Sequence, residues 1–226
     1  MLTLPALGLA LALLGVPALL LANKLLEFNQ FGLGSRLGLW ALAIVLIAIT
    51  VSSVDDWRTA LGLSSALGSS ILYGLLAALL ILVAWPVIGA AQRLLGGTST
   101  ENTTSFNALA TRSLPSRSLL VLTAGVTEEI VFRGYGIGVG QTVIGGTGAA
   151  VCLSLLVFVA AHFRWGVSHL LSVLWAGTIL SLLFALTNSL LACIVAHLTV
   201  DAVGILLAPW AMAQKVKSAP VAPRDA

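Results

Sequence analysis

The chain alternates long apolar runs with short polar breaks, and the length of the runs indicates what they are. A bilayer core about 30 Å thick asks for roughly 20 apolar helical residues per crossing. Seven stretches come close, at about 4–22, 38–54, 66–91, 118–138, 142–163, 169–187 and 188–208. The pattern predicts an all-α fold, a polytopic transmembrane helix bundle of about seven spans. Gly145-Gly146-Thr147-Gly148 can break the fifth run and move that span toward about 149–168. Only a tight turn at Thr187-Asn188-Ser189 separates the sixth run from the seventh. The one long loop is the polar stretch from Gly96 to Ser116, and the tail from Gln214 is short and Pro- and Lys-bearing. No internal repeat is visible. The expected division is three spans with their polar loop over 1–114, a second bundle unit over 115–210, and a flexible tail over 211–226.

Composition agrees with the run lengths. Of 226 residues, 59% are hydrophobic and 8% are charged, with mean hydropathy +1.07. A soluble domain carries roughly 25% charged residues, so lipid must be the solvent for most of this surface. The net charge of +3 is small and its cations lie between apolar runs, which excludes the clustered basic face that nucleic acid needs. Cys152 and Cys193 fall inside apolar runs and read as small packing residues. The first run has no basic residue before it, as a cleaved signal peptide would require, so it reads as a retained span.

Cation placement predicts orientation. Lys24, Arg36, Arg93, Arg112, Arg117, Arg164, Lys215, Lys217 and Arg224 fall on one side, and Arg58 lies on the other beside Asp55 and Asp56. The expected arrangement has the N-terminus outside and the C-terminus in the cytoplasm. The Asn102-Thr103-Thr104 sequon then faces the cytoplasm and carries no meaning.

Charges at mid-bilayer cost at least ~2.5–3.5 kcal/mol each and mark function. Three places hold polar residues of this kind, all in the C-terminal half: Thr127 to Gly134, Phe158 to His162, and His197 to Asp201. Residues four apart share a helix face, so Glu129 and Arg133 can form a structural ion pair within their helix. Glu128, turned about 100° away, is left to face a cavity with no cation of its own, which makes it a candidate general base. His197 and Asp201 present two polar groups one turn apart, suited to holding a water or an oxyanion, and His162 adds an imidazole from another helix. Such equipment suits water-dependent hydrolysis. Phe158 reads as packing and His169, next to Trp165, as an interfacial residue. The glycines Gly134, Gly136, Gly138 and Gly140 allow close helix packing, and Trp57, Trp165 and Trp210 fit an aromatic belt.

The three segments resemble the signature of the CPBP family, the CAAX proteases and bacteriocin-processing enzymes, also called Abi, with CAAX prenyl protease 2 among its relatives. Its pattern is Glu-Glu-x-x-x-Arg, commonly followed by Gly, then Phe-x-x-x-His, then His-x-x-x-Asn or Asp. Here these fall at 128–134, 158–162 and 197–201, in order and inside apolar runs. The resemblance covers about 115–210 and implies an intramembrane endopeptidase whose catalytic core is that segment. By position, Glu128 would activate water, His162 would help hold it, and His197 and Asp201 would stabilise the oxyanion. Asp201 stands where many members have Asn. An ionised Asp would repel an oxyanion unless it is paired with a histidine or protonated, which leaves its part open.

Zinc would want three ligands, which Glu128, His162 and His197, or Asp201, could supply. There is no His-Glu-x-x-His, and a metal-free glutamate mechanism that uses the same residues is the expectation, with no cofactor. The expected partners are the lipid bilayer and a peptide or membrane-associated protein substrate, in a bacterial plasma membrane. The rival classes are a proton-coupled transporter, which buried Glu, His and Arg would also suit, and a non-enzymatic scaffold or bacteriocin-immunity protein of the same fold. The lack of an inverted repeat counts against the transporter.

Overall fold

The computed structural model describes residues 3–26, 32–94 and 109–207, and every regular element among them is helical. The polar loop at 96–108, with its sequon, and the tail with Lys215, Lys217 and Arg224 lie outside the described residues. In order the elements are α1 (Leu4–Leu25), α2 (Leu33–Ser53), a single turn α3 (Trp57–Ala60), α4 (Leu67–Val83) and α5 (Trp85–Leu94). Then come α6 (Leu114–Glu128), α7 (Gly140–Ile144), α8 (Thr147–Ala161), α9 (Val167–Thr187) and α10 (Leu190–Asp201). A π-helical stretch, Glu129–Val139, joins α6 to α7 without a break, and another, Ala202–Leu207, extends α10.

Five of these rods are long and apolar enough to cross a bilayer: α1, α2, α4 with α5, α9, and α10 with its extension. Their outer faces expose leucines and valines such as Leu14, Leu21, Val83, Val87 and Leu186, far more apolar surface than a soluble monomer shows. The protein is an integral membrane helix bundle. The two remaining predicted spans differ from expectation in instructive ways. The fourth lengthens to a rod over 114–144 that carries Arg117, Glu128, Glu129 and Arg133. The fifth shortens to the 15 residues of α8, about 22 Å at ~1.5 Å per residue.

The long rod is the axis of the bundle. All eleven residues of its π-helical stretch are buried, and α1, α2, α8, α9 and α10 pack around it. Burial in protein rather than lipid is what makes its charges tolerable. The i→i+5 pattern is rare, and small residues let neighbours close on it here. A Cβ at Gly138 would collide with the carbonyl of Ala60, and one at Gly136 would lie 2.8 Å from Ser154 Oγ. Ser154 itself donates to the carbonyl of Phe132 at 2.6 Å. Elsewhere α4 packs on α10, where Gly74 faces the Ala192 carbonyl at the distance of a missing Cβ, 2.7 Å.

The turns follow the local chemistry. Gly145, at φ +84°, ends α7 as the predicted glycine break. Asn188 takes a left-handed φ of 44°, and Ser189 caps α10 by accepting from the Ala192 amide at 3.2 Å. That turn is tied to the α3 region by Asn188 Nδ2 donating to the Thr59 carbonyl and Leu190 N donating to that of Gly62, both at 2.8 Å. At the other end of the bundle, Arg36 Nη2 donates to Ser116 Oγ at 3.2 Å and Arg117 Nη1 to the Ile205 carbonyl at 3.0 Å. The starts of α2 and α6 and the end of α10 therefore share one side, opposite Asp55, Asp56 and Arg58. Four cations that the run pattern places between spans lie in helices: Lys24 in the last turn of α1, Arg36 in the first turn of α2, Arg93 in the last turn of α5 and Arg117 in the first turn of α6.

Candidate active site

A cavity of about 660 Å³ opens beside the central rod, and Glu128, His162, His197 and Asp201 all line it. Glu128 is the last α-helical residue before the π-helical stretch, so it sits where the rod turns its charged face toward α8 and α10. His162 is not inside a span, as both boundaries considered for the fifth run would have it. The helix α8 stops at Ala161, and His162 begins a tight turn, Phe163–Trp165, which Gly166 at φ +91° reverses into α9. Because α8 is short, this turn is recessed to the level of Glu128, eleven residues and about 16 Å along the rod from Arg117. Depth is supplied by ending the helix, not by extending it.

The imidazole of His162 is held by its own helix. Its Nδ1 lies 2.8 Å from the Phe158 carbonyl, which can only accept, so Nδ1 is the donor. Nε2 then faces Glu128 Oε2 at 3.9 Å, with the two side chains 20% and 15% exposed to the cavity. Phe158 does more than fill space: its ring packs tilted against His162, 51° between the planes and 4.8 Å between centroids, and lies under the Arg133 guanidinium at 4.4 Å. One aromatic ring thus braces a catalytic candidate and a buried cation.

The Glu129–Arg133 pair is present, with Arg133 Nη1 donating to Glu129 Oε1 at 3.0 Å and both residues fully buried. Arg133 Nη2 also donates to the Gly177 carbonyl of α9 at 3.2 Å. The sequence reading missed a second bond. His197 Nδ1 lies 2.7 Å from the same Glu129 oxygen, and because that oxygen already accepts from Arg133, His197 is the donor. Its Nε2 is thereby turned toward Asp201 Oδ2, 3.6 Å away. A chain of contacts runs from the α9 backbone through Arg133, Glu129 and His197 to Asp201 at the cavity wall. The pairing of Asp201 with a histidine is one of the arrangements that removes the conflict between an aspartate and an oxyanion.

Among the described residues no group of three or more His, Cys, Asp or Glu side chains is disposed to hold a metal ion. Both histidines direct Nδ1 to protein acceptors, and each Nε2 faces a different carboxylate.

Residues 110–203 match the model of a known family, the Rce1-like type II CAAX prenyl endopeptidases. That segment of the chain is similar to the CAAX protease family. The matched segment contains all three motifs and begins just before α6. No curated protein and no solved structure matches the chain. The matched segment does not enclose the cavity alone. Val16 and Asn23 of α1, Arg36 of α2 and Trp85 of α5 line the same space. So do Trp165 and His169, which the sequence placed at a lipid interface. The recessed turn brings them inward, and the only sequence signal for it is the short interval between Gly146 and His162.

Proposed function

We propose that the protein is an intramembrane endopeptidase in which Glu128 activates water against a peptide bond of a membrane-associated protein or peptide. The observation that carries this reading is the 3.9 Å separation of two acceptors, Glu128 Oε2 and His162 Nε2, on the wall of one cavity. A water placed about 2.8 Å from each subtends an angle of about 90° between them, close to the angle of its own two hydrogens. It would donate one hydrogen to each and aim its oxygen lone pairs into the cavity.

As the water oxygen bonds to the scissile carbonyl carbon, Glu128 takes a proton and the carbonyl oxygen becomes an oxyanion. A hydrogen carried on His197 Nε2, beside Asp201, is the donor to that oxyanion. Collapse breaks the C–N bond, and Glu128 returns its proton to the departing amine. Glu129 and Arg133 are positioning residues that set the imidazole of His197. The setting we infer is a bacterial plasma membrane, with the N-terminus outside and the starts of α2 and α6 at the cytoplasmic face.

The test is a peptidase assay in liposomes. A general base contributes about 10²–10⁴-fold to rate, so Glu128→Gln is expected to lose that much while melting like wild type. Equal activity in the two proteins would overturn the assignment. Treatment with 1,10-phenanthroline is expected to leave the rate unchanged, and loss of activity restored by added zinc would reverse the metal-free reading.

A further inference from the structure

α8 is short for the bilayer that its neighbours fit. It runs 15 residues, about 22 Å, and its partner α9 runs 21, about 31 Å, at ~1.5 Å per residue. Gly138 lies against both Ala60 and Phe184, so the end of the rod, where α8 begins, and the end of α9 share one side of the molecule. The missing length, about 9 Å by that rise, therefore falls on the other side, to the segment from His162 to Gly166. α8 cannot slide to divide the deficit between both sides, because Ser154 is tied to the Phe132 carbonyl. A second measure agrees. Glu128, level with the turn, is about 16 Å from Arg117 along the rod, and a headgroup layer of about 5–7 Å leaves about 10 Å of hydrocarbon. The turn is not sealed inside protein. Cys152, Leu156, Ala160 and Phe163 form one exposed stripe down the outside of α8, and Phe163, in the turn itself, is 65% exposed among the described residues.

We propose that this stripe and the turn below it are a surface fitted to a locally thinned bilayer, in which headgroups and water of the leaflet on the Arg117 side dip inward to the level of Phe163. Non-helical backbone is not left facing hydrocarbon, and a span shorter than the core is met by thinning of the bilayer around it. The flanking rods α1 and α9 are full length, which confines the dent to the width of one helix. A second copy of the chain suits the stripe less well. One face of α8, about 22 Å long and about 10 Å wide, offers roughly 220 Å², against about 800 Å² per partner in a stable interface. The dent has a use at this position. The turn that it reaches also lines the cavity through Trp165, so water arriving from the headgroup layer stands one turn of backbone away from His162 and Glu128. The lipid surface around α8 is the same whatever the cavity hydrolyses.

Spin labelling of the full chain in phosphatidylcholine vesicles reads the lipid directly. With Cys152 and Cys193 replaced by alanine, a nitroxide is attached in turn to Ala160→Cys and Phe163→Cys, and to Leu79→Cys and Val83→Cys as exposed controls on α4. Gly74 lies against Ala192, so Leu79 and His197, each five residues further along the parallel helices α4 and α10, share the depth of Glu129. Leu79 therefore matches Ala160, and Val83, four residues beyond it, matches Phe163, three beyond Ala160. In dioleoyl vesicles the ratio of Ni-EDDA to oxygen collisions is expected to be at least threefold higher at each α8-side position than at its control. The contrast is expected to grow in dierucoyl vesicles and to shrink in dimyristoleoyl vesicles, whose own core is thinner. Equal ratios within the pairs overturn the proposal, because a flat bilayer holds each pair at one depth. A contrast indifferent to chain length would mean a water-filled groove without thinning and overturns it too. So does low accessibility to both reagents at Ala160, the sign of protein covering the stripe. If Ala160→Cys does not fold, the Phe163 and Val83 pair decides. No cleavage is measured, so a failed peptidase assay leaves this result standing.

Discussion

Glu128 and Glu129 are neighbours in sequence and opposites in setting. Glu129 is fully buried, with one oxygen taken by Arg133 and His197, whereas Glu128 keeps an edge in the cavity. Removing one partner of a buried pair costs about 3–5 kcal/mol. Arg133→Ala is therefore expected to lower the yield of folded protein and its melting temperature. A normally folded but inactive Arg133→Ala would move the arginine into the chemistry. Glu129→Gln keeps the shape but weakens the orientation of His197, so we expect kcat to fall with KM nearly unchanged and the rate–pH profile to move. A profile identical to wild type would leave Glu129 purely structural. Asp201→Asn keeps the size and the polar oxygen facing His197, so its effect on rate is expected to stay below tenfold. Loss of the about 10²–10³-fold worth of an oxyanion donor would show that the negative charge is required.

The elements that matter most are those that depart from regular spans. The π-helical stretch works as an axis only because its glycines admit other backbones, and α8 works as a platform for His162 only because it stops early. Gly138→Leu would drive a side chain into the carbonyl of Ala60; overpacking of this kind costs about 1–3 kcal/mol, readable as a lower melting temperature. Gly148, in the first turn of α8, has nothing within 4 Å of where a Cβ would go. Gly148→Ala is expected to be neutral or to stabilise by about 0.4–1 kcal/mol. If both substitutions behave alike, close packing is not what the Gly138 position supplies.

Across the whole molecule, hydrogen bonds divide the loops between two ends. Arg36, Ser116, Arg117 and Ile205 meet at one end, and Thr59, Gly62, Asn188 and Leu190 at the other. In the proposed orientation the first end faces the cytoplasm. With Cys152 and Cys193 replaced by alanine, a cysteine at Thr111 should label from the cytoplasmic side and one at Ser64 from the outside. Labelling of both from one side would contradict the bundle's two ends, and a reversed pattern would invert the orientation.

Hydrophobic run length alone determined that the chain is a helical membrane bundle, because backbone polar groups in lipid leave few other solutions. The motifs at 128–134, 158–162 and 197–201 were equally legible, since charged side chains in apolar runs stand out against their cost. The pairing of Glu129 with Arg133 followed from helical spacing. The bond from His197 to Glu129 did not, because it joins residues 68 positions apart and depends on how α10 crosses the rod. Nor could sequence show that His162 reaches Glu128 from a truncated helix, or that Asn23 and Arg36, outside the matched core, complete the cavity. Such contacts are set by packing between helices, and one-dimensional periodicity records only which face of each helix is apolar, not which neighbour it meets.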